Sequence, residues 1–187
     1  RFFTKVLKKK VDTEFMKNFY VIFFFLFFIF NSSFANELKL TTDPNAICNN
    51  GEQATFTIKK GKSNKWAVIL PGGGIARNSE EYRSRSESMK SPELKPHYFG
   101  QAIEKDLEDR NYNLVFIPYC SSDLYQSDHI NLIDGNEVPF RGRVIVEDVI
   151  KKIDKKLKNA DEVMFLGYSA GAIGIGFHAK TIGKYKN

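Results

Sequence analysis

The chain has 187 residues, 42% of them hydrophobic, with 28 Lys/Arg and 22 Asp/Glu for a formal net charge of +6. Much of that excess lies in the first 35 positions, and residues 36–187 carry 22 Lys/Arg against 20 Asp/Glu, so the near-neutral remainder does not imply a nucleic-acid partner. This remainder is enough chain for one modest core, and no repeat or low-complexity linker divides it.

In chain order, residues 1–15 precede the first methionine, Met16, and read as an upstream extension. Met16-Lys17-Asn18 leads into an apolar run at 19–30 and then Ser33-Phe34-Ala35. A charged start, an apolar core and a small-x-small site make a secretory signal peptide over 16–35. The run is short against the roughly 20 residues of a membrane span. Cleavage after Ala35 and export, to the periplasm or outside, are therefore expected; an uncleaved anchor is the alternative. The two cysteines of the exported part, Cys48 and Cys120, are an even count in an oxidising compartment, which favours a disulfide over two buried free thiols.

Residues 55–59 alternate and read as a half-exposed strand; residues 65–70, Lys-Trp-Ala-Val-Ile-Leu, read as a buried one. Residues 75–95 are polar and predict a long loop. Phe99, Ile103 and Leu107 share a helical face, and residues 113–120 predict a strand with Pro118 at its end. Residues 121–138 predict another loop. Val144, Ile145, Val149, Ile153 and Leu157 mark a helix of about four turns, by the 3.6-residue period. The lysines at 151, 152, 155, 156 and 158 are interleaved with Glu147, Asp148 and Asp154 and describe a solvated helix face. Strands alternating with helices predict an α/β fold with a mostly parallel sheet and a site at the strands' carboxyl ends.

Two junctions carry the chemistry. Residues 161–166 form a buried-strand run, Gly167-Tyr168-Ser169-Ala170-Gly171 follows, and residues 172–180 form an apolar, glycine-loosened helix. Strand, G-x-S-x-G, helix is the arrangement that lifts a serine hydroxyl above a sheet edge as a nucleophile. The strand at 65–70 ends in Pro71-Gly72-Gly73-Gly74, a loop able to turn its amides inward toward a developing oxyanion. A phosphate cradle is the competing reading of that loop. It lacks support, because Arg77 stands where a dinucleotide fingerprint needs glycine and no Gly-Lys-Ser/Thr follows.

In this order Ala46-Ile47-Cys48-Asn49-Asn50-Gly51, Trp66 with Gly72-Gly73-Gly74, Ile117-Pro118-Tyr119-Cys120-Ser121-Ser122-Asp123, Phe140-Arg141-Gly142 and the serine motif resemble the pectin acetylesterase/Notum family of carboxylesterases. The resemblance spans about Ala46 to Phe177. It implies an α/β-hydrolase fold over residues 36–187 and hydrolysis of an oxygen ester on a sugar or protein. It implies Ser169 as nucleophile, with Gly73, Gly74 and Ala170 as oxyanion-hole amides, and it supports pairing of Cys48 with Cys120. The family's acid and histidine follow the nucleophile and are expected beyond Asn187. The chain is thus expected to be the front part of an enzyme and inactive by itself. Ile75 and Ala76 stand where the family commonly has an aromatic residue and a cysteine. Tyr82 stands at the position of that cysteine's partner, three residues before Arg85, so one staple is expected to be missing. Ala172 replaces a further glycine.

The remaining polar residues have plainer readings beside their functional ones. Chain order argues against His129 and His178 as bases, and His97 follows a proline in a loop. Asp123 and Asp128 border the site face and suit either substrate contact or loop capping. Arg141 suits either a carboxylate clamp or the start of the next helix, paired with a nearby acid. No cluster has metal-ligand spacing, and no metal or cofactor is expected. The expected activity is serine-mediated deacetylation of a polysaccharide or glycan by a monomer. Two alternatives stand beside it: a secreted binding protein that keeps the fold without catalysis, and a lipase or peptidase of the same fold.

Overall fold

The apolar run at 65–70 becomes an interior strand of the sheet. In a computed structural model, which describes residues 37–90 and 101–185, this strand β3 (Lys65–Leu70) lies between two parallel neighbours, β4 (Asn113–Phe116) and β7 (Glu162–Gly167). Burial of both faces explains why the run has no polar alternation: Trp66 through Leu70 are all at most 4% exposed. Two further strands, β1 (Glu37–Leu40) and β2 (Thr55–Lys59), extend the sheet antiparallel, giving the order β1-β2-β4-β3-β7. The sheet is therefore mixed, and it is parallel where it leads into the two glycine junctions. The segments expected as upstream extension and signal peptide, together with His97 and Phe99, lie outside the described residues.

The pleat sends Val68, Leu70, Val115 and Ile117 to one side of the sheet. There they meet Ile145, Val149, Ile153 and Leu157 of the long helix Gly142–Lys158, spaced four residues apart on a single face. Ala67, Ile69, Leu114 and Phe116 go to the other side, against Leu107 and Tyr112. Leu107 lies on the helix Gln101–Asp109 expected from the periodicity, but Ile103 on the same helix is 47% exposed. Cys48 and Cys120 are bonded, with Cα atoms 5.0 Å apart, which fastens the segment before β2 to the loop after β4.

Two stretches expected to be loops carry structure. Residues 75–95 include the helix α1 (Ser79–Arg83) and a 3₁₀ turn at Ser86–Ser88. Asn78 caps α1, its side chain accepting from the Glu81 amide at 2.9 Å, so Asn-x-x-Glu was a readable start signal. Residues 121–138 include most of a hairpin, β5 (His129–Ile133) and β6 (Asn136–Phe140). Its turn is Asp134-Gly135 with φ of 53° and 77°, the pair of positive values a two-residue hairpin turn requires. The helix Gln101–Asp109 is hereafter α2. The long helix is α3 (Gly142–Lys158), and α4 (Ala170–Phe177) and α5 (Ala179–Ile182) follow β7.

The hairpin docks on α1. Ala76 and Tyr82 pack against Ile133, Val138 and Phe140, and the Tyr82 and Phe140 rings lie 6.1 Å apart. The guanidinium of Arg83 donates two hydrogen bonds to Asp134 at 2.7 Å each. Where the resemblance implied a lost staple between positions 76 and 82, this chain has a small apolar cluster.

Candidate active site

Ser169 sits on the turn between β7 and α4 with φ 50° and ψ −117°, a combination that costs a non-glycine residue of the order of 1–3 kcal/mol. The turn closes because its flanking residues are small. A Cβ on Gly171 would come within 1.8 Å of the Leu70 carbonyl oxygen, so only glycine lets α4 start against the end of β3. Ser169 is exposed, whereas Ala170 and Gly171 behind it are buried. Its position at the N-cap of α4 also places it where the helix dipole favours negative charge, next to the Ala170 amide, which donates to no backbone carbonyl.

The glycine loop lies directly alongside. A Cβ on Gly72 would stand 2.9 Å from the Ser169 Cβ, so the loop backbone and the serine are in contact. Among the described residues, the amides of Gly72, Gly73, Gly74 and Ala170 donate no hydrogen bond to the backbone. Both junctions thus carry N–H groups without a backbone partner, and at Gly72 the glycine loop touches the exposed serine. Gly72, adjacent to the two glycines singled out from the sequence, makes the closest approach to the serine.

The loop after β4 holds this assembly, and sequence reasoning gave it no role beyond a possible contact surface. The Tyr119 ring lies against Gly73, where a Cβ would meet it at 1.9 Å. Its hydroxyl donates to the Gly74 carbonyl at 2.6 Å and accepts from the Leu124 amide at 2.8 Å. Tyr125 stacks on Tyr119 with ring centroids 4.7 Å apart, and its hydroxyl lies 3.1 Å from the Ile117 carbonyl oxygen and 3.3 Å from that of Pro71. Burial pushes both phenols well above the ordinary tyrosine value, so they remain protonated donors. An isolated bridge pairs Ile75 with Asp123.

Asp123 is buried and serves as the loop's internal anchor. It accepts from the Ser121 hydroxyl, from the amides of Tyr125 and Ser127, and from the Gly142 amide at the start of α3. Burial raises its carboxyl pKa, while those four donors oppose the rise. Of the two readings open for Asp123, loop capping is what the geometry supports. Asp128 takes the same course differently: it pairs with Arg141 and Arg143. Arg141 is accordingly the N-cap residue of α3 and an ion-pair partner, its carboxylate supplied from within the chain.

His178 is 3% exposed, and its Nε2 lies 2.9 Å from the Tyr125 carbonyl oxygen, a bond it donates. Burial lowers its pKa and keeps the ring neutral. It braces the elbow helix against the Tyr125 loop and is turned away from catalysis. His129 lies exposed on the hairpin. Beside Gly72 opens a cleft of about 210 Å³, walled by Pro71, Phe116, Pro118 and Tyr119 with Ser88 and Lys90 at its polar side. Arg85 sits over the glycine loop, its guanidinium carbon 6.0 Å from the Tyr119 ring centre, and its Nε is buried without a hydrogen-bond partner.

A parallel-centred sheet flanked by helices, with a strained serine at a strand-to-helix turn and a glycine loop beside it, defines the α/β-hydrolase class. The sequence comparisons agree. The family description for pectinacetylesterases matches residues 31–185, and the chain belongs to that family. It is 33% identical over 153 residues to the palmitoleoyl-protein carboxylesterase notum1a of Danio rerio, covering 74% of this chain and 30% of that protein. It is 33% identical over 99 residues to the inactive palmitoleoyl-protein carboxylesterase notum1b of the same fish, covering 48% of this chain and 71% of that one. The fold matches the crystal structure of the Wnt deacylase Notum from Drosophila with a TM-score of 0.67 at 26% identity, over 79% of this chain and 47% of the other. The chain spans about a third of the length of the first of these curated relatives.

Proposed function

We propose that this chain belongs to a secreted serine carboxylesterase that removes an O-acyl group, acetyl in the first instance, from a polysaccharide or other glycan. The observation that carries the reading is the strained, exposed Ser169 set against the unengaged amides of the glycine loop. In the reaction, Ser169 Oγ bonds to the acyl carbonyl carbon, and a general base takes the hydroxyl proton. The carbonyl oxygen becomes an oxyanion that accepts from Ala170 and from the Gly73–Gly74 region. The sugar hydroxyl departs with a proton, leaving an acyl-serine. Water then releases the carboxylate and restores the serine. The family resemblance puts the base and its orienting acid after the nucleophile in chain order. Export is supported by the signal-peptide pattern at 16–35 and by the Cys48–Cys120 bond.

Two other readings have support of their own. Relatives named for palmitoleoyl-protein cleavage, and a structure titled as a Wnt deacylase, favour a fatty acyl group on a protein. Similarity to a relative named as inactive favours a binding protein without turnover. The polar side of the cleft at Ser88 and Lys90 suits a hydroxylated partner and favours the glycan. The deciding experiment compares full-length protein and its Ser169→Ala variant on an aryl acetate, an acetylated polysaccharide and a palmitoleoylated peptide, with organophosphonate labelling of the serine. The proposal expects acetate release and labelling at Ser169, both lost in the variant. Preference for the palmitoleoylated peptide would move the substrate to the second reading, and an unlabelled, inactive wild type to the third.

A further inference from the structure

The Tyr119 hydroxyl occupies an unusual place in the backbone hydrogen-bond network. Ile75 and Asp123 form an isolated antiparallel bridge, closed on one side by the Ala76 amide donating to the Ser122 carbonyl at 2.9 Å. On the other side, the Gly74 carbonyl and the Leu124 amide both bond to the Tyr119 hydroxyl, which donates to the first at 2.6 Å and accepts from the second at 2.8 Å. It thereby ties the two sides of the bridge together at the last residue of the glycine loop.

The ring reinforces the effect. It lies where a Gly73 side chain would be, and it is itself clamped between Tyr125 at 4.7 Å and the Arg85 guanidinium. Tyr125 reaches the Pro71 carbonyl and packs on Gly174 of α4, so the pair of rings spans from the glycine loop to the elbow helix. A run of three glycines has little conformational preference of its own. Engaging the carbonyls of residues 71 and 74, with an aromatic ring pressed against residue 73, fixes the intervening peptide planes, whose amides donate to no backbone carbonyl.

We propose that Tyr119 is a positioning residue for the oxyanion hole: its hydroxyl, bonded to both Gly74 and Leu124, and its ring against Gly73 hold the loop amides in register with Ser169. The inference rests on the reading of Ser169 as nucleophile. It goes beyond that reading in assigning the register of the oxyanion donors to the Tyr119 side chain. Loss of one oxyanion donor lowers kcat by about 10²–10³. Loosening the loop without removing a donor should lower it by roughly tenfold to a hundredfold.

The test uses full-length protein carrying Tyr119→Phe, which keeps the ring and removes the hydroxyl. Active sites are titrated with an organophosphonate, so that rates are per labelled serine. The expected result is a tenfold to hundredfold fall in kcat on an aryl acetate with KM changed less than about threefold. A trifluoromethyl ketone, which forms an oxyanion, should lose affinity in proportion to kcat/KM. Wild-type kcat per titrated site, or a fall in kcat with undiminished trifluoromethyl ketone affinity, would overturn the proposal even where the melting temperature drops. If Tyr119→Phe does not accumulate as folded protein, Gly73→Ala displaces the same contact from the loop side and should show the same pattern; wild-type turnover in that variant also overturns it. Ser169→Ala, run in parallel, separates the two levels: if it retains esterase activity the nucleophile assignment fails, whereas an inactive Ser169→Ala beside an unimpaired Tyr119→Phe removes only the role of Tyr119.

Discussion

The elbow at residues 167–171 and the loop at 117–128 meet around the same serine yet are built on opposite principles. The elbow is local: a strand, a strained residue and glycines that let the chain fold back on itself within five positions. The loop is held from afar. Ser122, Leu124 and Tyr125 all have positive φ without being glycine, and the conformations persist because Asp123, Tyr119, Tyr125 and the Cys48–Cys120 bond tie the segment to β2's lead-in, the glycine loop and α3. The difference teaches where substitutions should register. Changing Ser169 should strike activity while sparing the fold, and cutting the loop's ties at Asp123 or Cys120 should strike the fold first.

Ser169→Gly offers the largest test of that division. Turnover should fall by several orders of magnitude, as removal of a nucleophile does. Stability should rise by about 1 kcal/mol, because glycine adopts φ 50°, ψ −117° without the penalty serine bears. Urea unfolding of the full-length protein against wild type reads both signs at once, and a destabilised Ser169→Gly would show that the elbow is not strained. On the loop side, the double variant Cys48→Ser/Cys120→Ser opens a closure with a sequence separation of 72 residues. The chain-entropy account assigns such a bond about 4 kcal/mol. A loss of unfolding free energy, read from urea titration, well under half that size would mean the loop's hydrogen bonds suffice without it.

Asp123→Asn should cost about 2 kcal/mol, since an amide nitrogen would face one of the donors that now converge on the carboxylate. Its kcat per titrated site should change less than its melting temperature, and the opposite outcome would place Asp123 in the reaction. The smallest effect falls on His178, which joins the two regions through the Tyr125 carbonyl. Burial holds its pKa below the ordinary 6.5, with Glu147 opposing and Arg143 reinforcing the shift. The folded protein therefore binds the proton less readily than the unfolded chain does. Its contribution is complete above pH 6.5 and declines as pH falls from there through the lowered folded value. Melting temperatures between pH 7 and 5 should fall less steeply in His178→Gln than in wild type.

What the sequence disclosed follows the same division. The elbow, the glycine loop and α3 were legible because their determinants are neighbours: Gly167 with Gly171, Gly72 through Gly74, Ile145 with Val149, Ile153 and Leu157. The β5–β6 hairpin had a readable mark in Asp134-Gly135, hidden by the polar and aromatic residues before it. The bracing by Tyr119 and Tyr125 had none, because a tyrosine's partner carbonyl can lie anywhere, and here Gly74 and Pro71 lie 45 and 54 positions away. For Asp123, Asp128 and Arg141 the residue types were informative but their engagement was not. Whether each faced substrate or its own backbone depended on burial created by the assembled fold.

The central strand sets a timetable for assembly. β3 pairs with β4 across about 50 residues of chain and with β7 across about 100, and every one of these contacts is parallel. As the polypeptide emerges, β3 and β4 can associate while the edge that will receive β7 stays open, presenting unpaired amides and the apolar surface of Val68 and Leu70. Cys120 emerges well before Glu162, so the covalent link can close across the half-built sheet during that interval. Folding of this high-contact-order core is consequently tied to oxidation: in a reducing compartment the growing chain would wait for β7 without the Cys48–Cys120 crosslink to hold the rest in place.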